Sequence, residues 1–406
     1  MSLDVLKERG TPLEKQMFDW RDLVRVPYSK LDDDAFTRVR VILMSSIESE
    51  AVRFGHACAR MNAPLQLPLA RIRRVEQFQQ TMIHWLHPPD QNVLETTIGL
   101  EQAAIEVTAH VARHEPDPYL KQVYELGLLE HFDHLYRCSA LYDRLEGKDA
   151  NALLQCYTDI LPGRPTSFHH RAPEDDLREP YDRRSAHPLS KLHAYTIVAS
   201  EHQTHDYYMN VGPTFSDPIA RQLYAEIGAV EEQHVTQYES IVDPSETWLE
   251  KWLLHELCEV WTYWSCYSTE SNPRVKEIWE RFLQYELGHL HFVAQRMEQV
   301  EQRDVWSIVP RTLPQPLSYE SQRDYVRSVL GTQTHLRANG TQIVEPERDS
   351  PASIAYREQL NDHGSPSEIV AAGWRWQPGG ELAPPPPNGH ARPSSNGHGR
   401  GKEARR

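Results

Sequence analysis

The chain has 406 residues, 39% hydrophobic and 25% charged, enough for two or more buried cores in a water-soluble protein. Its formal net charge of −15 excludes nucleic acid as the main partner, because phosphate binding needs a basic footprint. No apolar run reaches the ~18 residues of a membrane span, so no membrane association is expected.

The N-terminal MSLDVLKERG lacks the apolar core of a signal peptide, which makes a cytoplasmic location the expectation. The five cysteines, Cys58, Cys138, Cys156, Cys258 and Cys266, are scattered and form no CxxC pair. That argues against a disulfide framework, a zinc knuckle or a rubredoxin module, and all five read as buried small apolar residues.

In chain order, residues 1–34 read as an irregular lead-in. Residues 35–145 follow with a helical pattern, in long stretches free of Gly and Pro. Residues 146–189, rich in Pro, Arg and Asp, read as a linker or an ordered wrap with little regular structure. A second helical block spans 190–302. VPRTLPQPLS breaks it, and a C-terminal extension over 303–377 has room for one or two short helices, one of them from Tyr319 to about Arg337. The low-complexity tail 378–406 reads as disordered. No strand-like alternation interrupts either block, so the fold class expected is all-α.

An internal repeat is the most informative feature. Three helical hairpins align on the turns Asp117-Pro118, Asp217-Pro218 and Asn272-Pro273, each an N-cap followed by Pro at the first helical position. Six residues after each Pro stands an aromatic, Tyr124, Tyr224 or Trp279, read as core packing. Thirteen after stand His131, Glu231 and Glu286, and sixteen after stand His134, His234 and His289. Seventeen before each Pro, on the preceding helix, stand Glu101, Glu201 and Glu256.

Residues three apart share a helix face, so Glu-x-x-His on one helix and Glu on its neighbour meet at one level. Stacking the second and third hairpins would bring Glu201, Glu231, His234, Glu256, Glu286 and His289 into a single layer. Four buried carboxylates are very costly without a cation, and two divalent metals balance them. Carboxylates bridge metals well, and imidazole suits Fe, Mn or Zn.

Unit one departs from this pattern. It has His131 where a carboxylate is expected, with Glu130 one position off. A fourth hairpin, roughly 35–62 and 69–87, aligned on Pro68, puts only Ala51, Thr81 and His84 at the corresponding positions. The N-terminal block therefore reads as a second, degenerate helical bundle. A competing arrangement packs unit one on unit two, with 146–189 as the crossover. It would join Glu101, His131 and His134 to Glu201, Glu231 and His234. Glu259, one turn beyond Glu256, reads as exposed or hydrogen-bonded. Tyr208 and Tyr263 read as core residues within reach of the ligands, and His169-His170 carry no assignment.

On these six positions, residues 190–302 resemble the ferritin-like superfamily in the broad rubrerythrin and carboxylate-hydroxylase sense. The short link between the two hairpins departs from the long crossover of many members. The resemblance implies a four-helix bundle holding two Fe ions, with Mn as the alternative, and oxidoreductase chemistry on dioxygen or peroxide. It also implies an external electron donor and a small-molecule substrate, with VWTYWSCY (Val260–Tyr267) as a candidate pocket lining. The alternatives are a non-catalytic iron-binding or structural protein and a di-manganese catalase. A homodimer is expected from the frequency of such assemblies alone.

Overall fold

A computed structural model describes residues 3–376, and the expected disordered tail lies outside them. The described chain is all-α apart from one short antiparallel pair, Arg337–Asn339 with Gln342–Val344. Eight long helices form four hairpins. They are α1 (Ala35–Met61) with α2 (Gln66–His84), α3 (Val93–His114) with α4 (Pro118–Glu146), α5 (Pro188–Val211) with α6 (Pro218–Ser240), and α7 (Trp248–Thr269) with α8 (Pro273–Glu301).

The caps read from sequence are made. Asp117, Asp217 and Asn272 accept hydrogen bonds from the first free N–H groups of α4, α6 and α8, with Pro at the first helical position. The aromatics six residues on, Tyr124, Tyr224 and Trp279, are fully buried in the core.

Chain order does not set the pairing of the hairpins. α3–α4 packs on α5–α6, and α1–α2 packs on α7–α8. The division expected at 35–145 and 190–302 is therefore replaced by a contiguous set, 93–240, and a discontinuous one, 35–84 with 248–301. The contiguous set is inserted between the two halves of the other. The physical reason lies in α1. Every residue from Ala35 to Glu48 is buried, and a helix buried all round must lie inside the protein. It packs on α3 and α5 of one set and on α7 of the other. One apolar core runs through both sets, from Val39 and Leu43 on α1 to Leu100, Leu192, Trp261 and Phe282.

The segment 146–189 is mostly irregular, with single helical turns at Asn151–Leu154 and Pro173–Asp176. It is an ordered wrap that carries Arg164, Arg171 and Arg178 into the protein, each 4% exposed or less. Among the described residues the extension holds three α-helices rather than the one or two expected, Arg323–Gln333, Pro351–Leu360 and Pro366–Ala371. The first is shorter than expected from Tyr319, and the last packs on α4 and α6. Four cysteines are buried as expected, whereas Cys156 is exposed in the wrap beside Asn151.

Candidate metal centres

The six residues expected to share one layer fall into two groups. Glu201, Glu231 and His234 join Glu101, His131 and His134, whereas Glu256, Glu286 and His289 join Glu48, Glu76, Gln79 and Glu259. Among the described residues, no candidate ligand cluster takes members from both groups. Matching distances along the chain do not decide the partner: α7 leaves α6 to pack on α1 and α5, and its own Glu faces α1 and α2. The arrangement treated from sequence as the competitor is the one found in the contiguous set.

The histidine-rich group draws on all four helices α3–α6. His131 Nε2 lies 2.8 Å from Glu201 Oε1, and its Nδ1 lies 3.7 Å from Glu101 Oε2. His134 Nδ1 is 2.9 Å from Glu231 Oε1. His234 Nδ1 is 3.2 Å from Glu231 Oε2 and 3.5 Å from Glu201 Oε2. All six side chains are 1% exposed or less.

Around them stands an ordered outer layer. His234 Nε2 donates to Glu130 Oε2 at 2.7 Å, and Glu130 is held by Arg171 at 2.7 Å and Arg164 at 3.0 Å, both from the wrap. Tyr208 donates to Glu101. The His169 ring sits 5.3 Å from that of His134.

Charge within this group is partly self-compensated. Burial alone would lower His131, but the Glu201 and Glu231 carboxylates raise it to about 10. Burial likewise opposes ionisation of Glu231, yet His131 and His234 hold it well below the usual carboxylate range. Several atoms nevertheless find no hydrogen-bond partner: Glu101 Oε2, Glu201 Oε2, Glu231 Oε1, His131 Nδ1 and both ring nitrogens of His134.

The carboxylate-rich group draws on α1, α2, α7 and α8. His289 Nδ1 lies 2.9 Å from Glu286 Oε2 and 3.7 Å from Glu256 Oε2. Gln79 Nε2 donates to Glu286 Oε1 at 2.6 Å and Glu48 Oε1 at 3.2 Å. Tyr263 donates to Glu48, and Trp252 Nε1 donates to Glu256 Oε1 at 2.7 Å. Glu259, expected to be exposed or hydrogen-bonded, is 1% exposed, and neither of its oxygens has a partner. Burial pushes Glu48, Glu256 and Glu259 well above the ordinary carboxylate range, with neighbouring carboxylates adding to it. Burial also pushes Glu76 up to about 8, although His289 pulls the other way.

Glu48, Glu76 and Gln79 escaped the sequence reading because the first hairpin was aligned on Pro68. Its turn lies at Asn62–Leu65, and Pro64 is the proline that matches. Glu76 and Gln79 then follow at twelve and fifteen residues and Glu48 precedes at sixteen, each one short of the other hairpins. Ala51, Thr81 and His84 belong to neither group. Trp261 and Tyr263 of the Val260–Tyr267 stretch are packed core. His202 and His205 bond outward, to Glu239 and Glu232.

Both groups consist of buried donors that could hold metal ions. Comparison with protein-family models, with curated proteins and with solved structures finds no match for this chain.

Proposed function

We propose that α3–α6 form a ferritin-like bundle holding a pair of metal ions, iron before manganese, and that the protein is an oxidoreductase acting on dioxygen or peroxide. The observation that carries this reading is the convergence of Glu101, His131, His134, Glu201, Glu231 and His234. His134 is fully buried; its Nδ1 lies 2.9 Å from Glu231 Oε1, and its Nε2 has no hydrogen-bond partner. A buried imidazole in that state is costly unless a nitrogen ligates something. Three imidazoles and three carboxylates fit iron, manganese or zinc. The 41 residues between α4 and α5 also supply a long crossover in this set. The one departure, His131 in place of a carboxylate, leaves three negative charges against two divalent ions.

When bound, such a pair supplies one-electron steps toward a small oxidant, with electrons drawn from an external donor. The chain's own residues prepare the site. Glu130 accepts the Nε2–H of His234, which leaves Nδ1 as the ring atom that would face a bound ion. Arg164 and Arg171 hold Glu130, and Tyr208 orients Glu101. Full burial excludes bulk water and strengthens each of these interactions.

The test joins stoichiometry to spectroscopy. Protein from iron-supplied cells should carry metal at this centre. After anaerobic reduction, its absorbance should respond to dioxygen or peroxide. Glu101→Ala and Glu231→Ala should each empty the centre and abolish the response. Metal that persists through both changes, or a centre that never takes any, overturns the proposal.

A further inference from the structure

The carboxylate-rich group among α1, α2, α7 and α8 is an independent feature of the protein, and we infer that it is a second cation centre, one that takes a harder divalent ion of the manganese type. The inference uses the histidine-rich centre only as the reference for its metal ratio.

Its first support is a charge imbalance. Glu48, Glu76, Glu256, Glu259 and Glu286 are five carboxylates, each 2% exposed or less, facing a single imidazole. Among the described residues no lysine or arginine forms an ion pair with any of them; the one ion-pair partner is His289. The other centre sets three carboxylates against three imidazoles and has arginines in its outer layer. Burying carboxylates without a compensating charge is strongly unfavourable, so this group is the more demanding of a cation.

The second support is the orientation of His289. Gln16, from the N-terminal lead-in, spends both hydrogens of its amide nitrogen on backbone carbonyls, Thr11 at 2.8 Å and Tyr285 at 3.0 Å. Its Oε1 therefore can only accept, and it lies 2.7 Å from His289 Nε2. That bond places the ring proton on Nε2. Its Nδ1 is thereby turned to Glu286 Oε2 at 2.9 Å and Glu256 Oε2 at 3.7 Å. A single imidazole proton is then all the positive charge that this group sets against five carboxylates, and a bound cation would take that proton's place. Glu48 Oε2, Glu76 Oε2, Gln79 Oε1, Glu256 Oε2 and both oxygens of Glu259 are buried without hydrogen-bond partners, free to serve as ligands.

The donor set decides the class of ion. Carboxylate and carboxamide oxygens suit magnesium, calcium and manganese, and each added imidazole shifts the preference toward iron, zinc, copper and nickel. Gln79 stands where the other three hairpins have a histidine, so one nitrogen donor is exchanged for oxygen. A single remaining imidazole among oxygens favours manganese over the purely oxygen-bound ions. The raw affinity order places iron above manganese at any one site, so the expected signature is relative. The manganese-to-iron ratio here should exceed that at the histidine-rich centre.

The experiment uses the full chain, stripped of metal by chelation and given equal, limiting Mn(II) and Fe(II) without oxygen. Elemental analysis after gel filtration gives the totals, and anomalous diffraction at the two absorption edges gives the location. Manganese should concentrate among α1, α2, α7 and α8. Glu256→Gln and Glu259→Gln should each lose that manganese and keep the iron, and Glu231→Gln should do the reverse. Glu259→Gln removes charge without removing a hydrogen bond, so it remains informative if Glu256→Gln misfolds. The inference is overturned by no metal at this group, by one ratio at both centres, or by full manganese retention in Glu259→Gln. Metal here with none among α3–α6 instead overturns the proposed function alone.

Discussion

Glu130 shows how a single residue links the wrap to the candidate centre. Its carboxylate accepts from Arg164, Arg171 and His234 inside a fully buried site. Truncation to Ala leaves two buried guanidinium groups without their shared anion and His234 without its outer partner. We expect Glu130→Ala to cost roughly 3–5 kcal/mol of stability, read by urea unfolding. It should also weaken metal binding about 10–100-fold, read by titration. Glu106, on the same helix as Glu101 but away from the centre, predicts a pH effect. Burial raises it to about 7, although Thr158 and the Gln322 N–H bond to it. The folded state therefore holds this proton to higher pH than the unfolded chain, which releases it near the ordinary glutamate value. Its contribution to stability is full below that value and is lost as pH rises through about 7. Glu106→Gln should flatten this part of the stability profile, and a profile that keeps its slope would refute the assignment.

At the level of elements, the lead-in is tied to α8. Gly10 adopts a positive φ of 62°, and the Thr11 N–H donates to the Gln284 carbonyl at 2.7 Å. A β-carbon at Gly288 would run into the Thr11 carbonyl and come within 2.9 Å of Gln16 Nε2. Gly288→Ala should therefore lift the lead-in off α8, at a cost of about 1–3 kcal/mol. Because Gln16 moves with it, the tautomer of His289 is released. Metal retained among α3–α6 but weakened among α1, α2, α7 and α8 is the expected outcome of a binding titration. Elements were also where the repeat was most legible. Asp-Pro and Asn-Pro mark three helix starts by a local rule of capping, which needs no tertiary contact. The fourth turn, at Asn62–Leu65, is one residue out of step, so the rule that found the others missed Glu48, Glu76 and Gln79.

For the whole molecule, the consequence of the nesting is that neither half of the chain owns a complete set of helices. α1–α2 must wait for α7–α8, and α3–α4 for α5–α6. Two fragments cut in the exposed turn at Gly147 should each fail to show the cooperative unfolding of the intact chain. Mixed, they should regain it as a one-to-one complex, read by circular dichroism and gel filtration. Two separately folded halves would restore the division by chain order.

The sequence by itself determined the helices, the Glu and Glu-x-x-His positions, and the burial of their aromatic neighbours. These follow from capping, from 3.6-residue periodicity and from the spacing of side chains on one face. Only the tertiary structure decided which hairpins meet. A Glu on one helix gives no signal of the helix it faces, because the same amphipathic pattern suits any similar partner. The choice came from the N-terminal half of α1, buried all round from Ala35 to Glu48, and from the arginines of the wrap. α1 packs on α3 and α5 of one set and on α7 of the other, and Arg164 and Arg171 neutralise Glu130 at the heart of α3–α6.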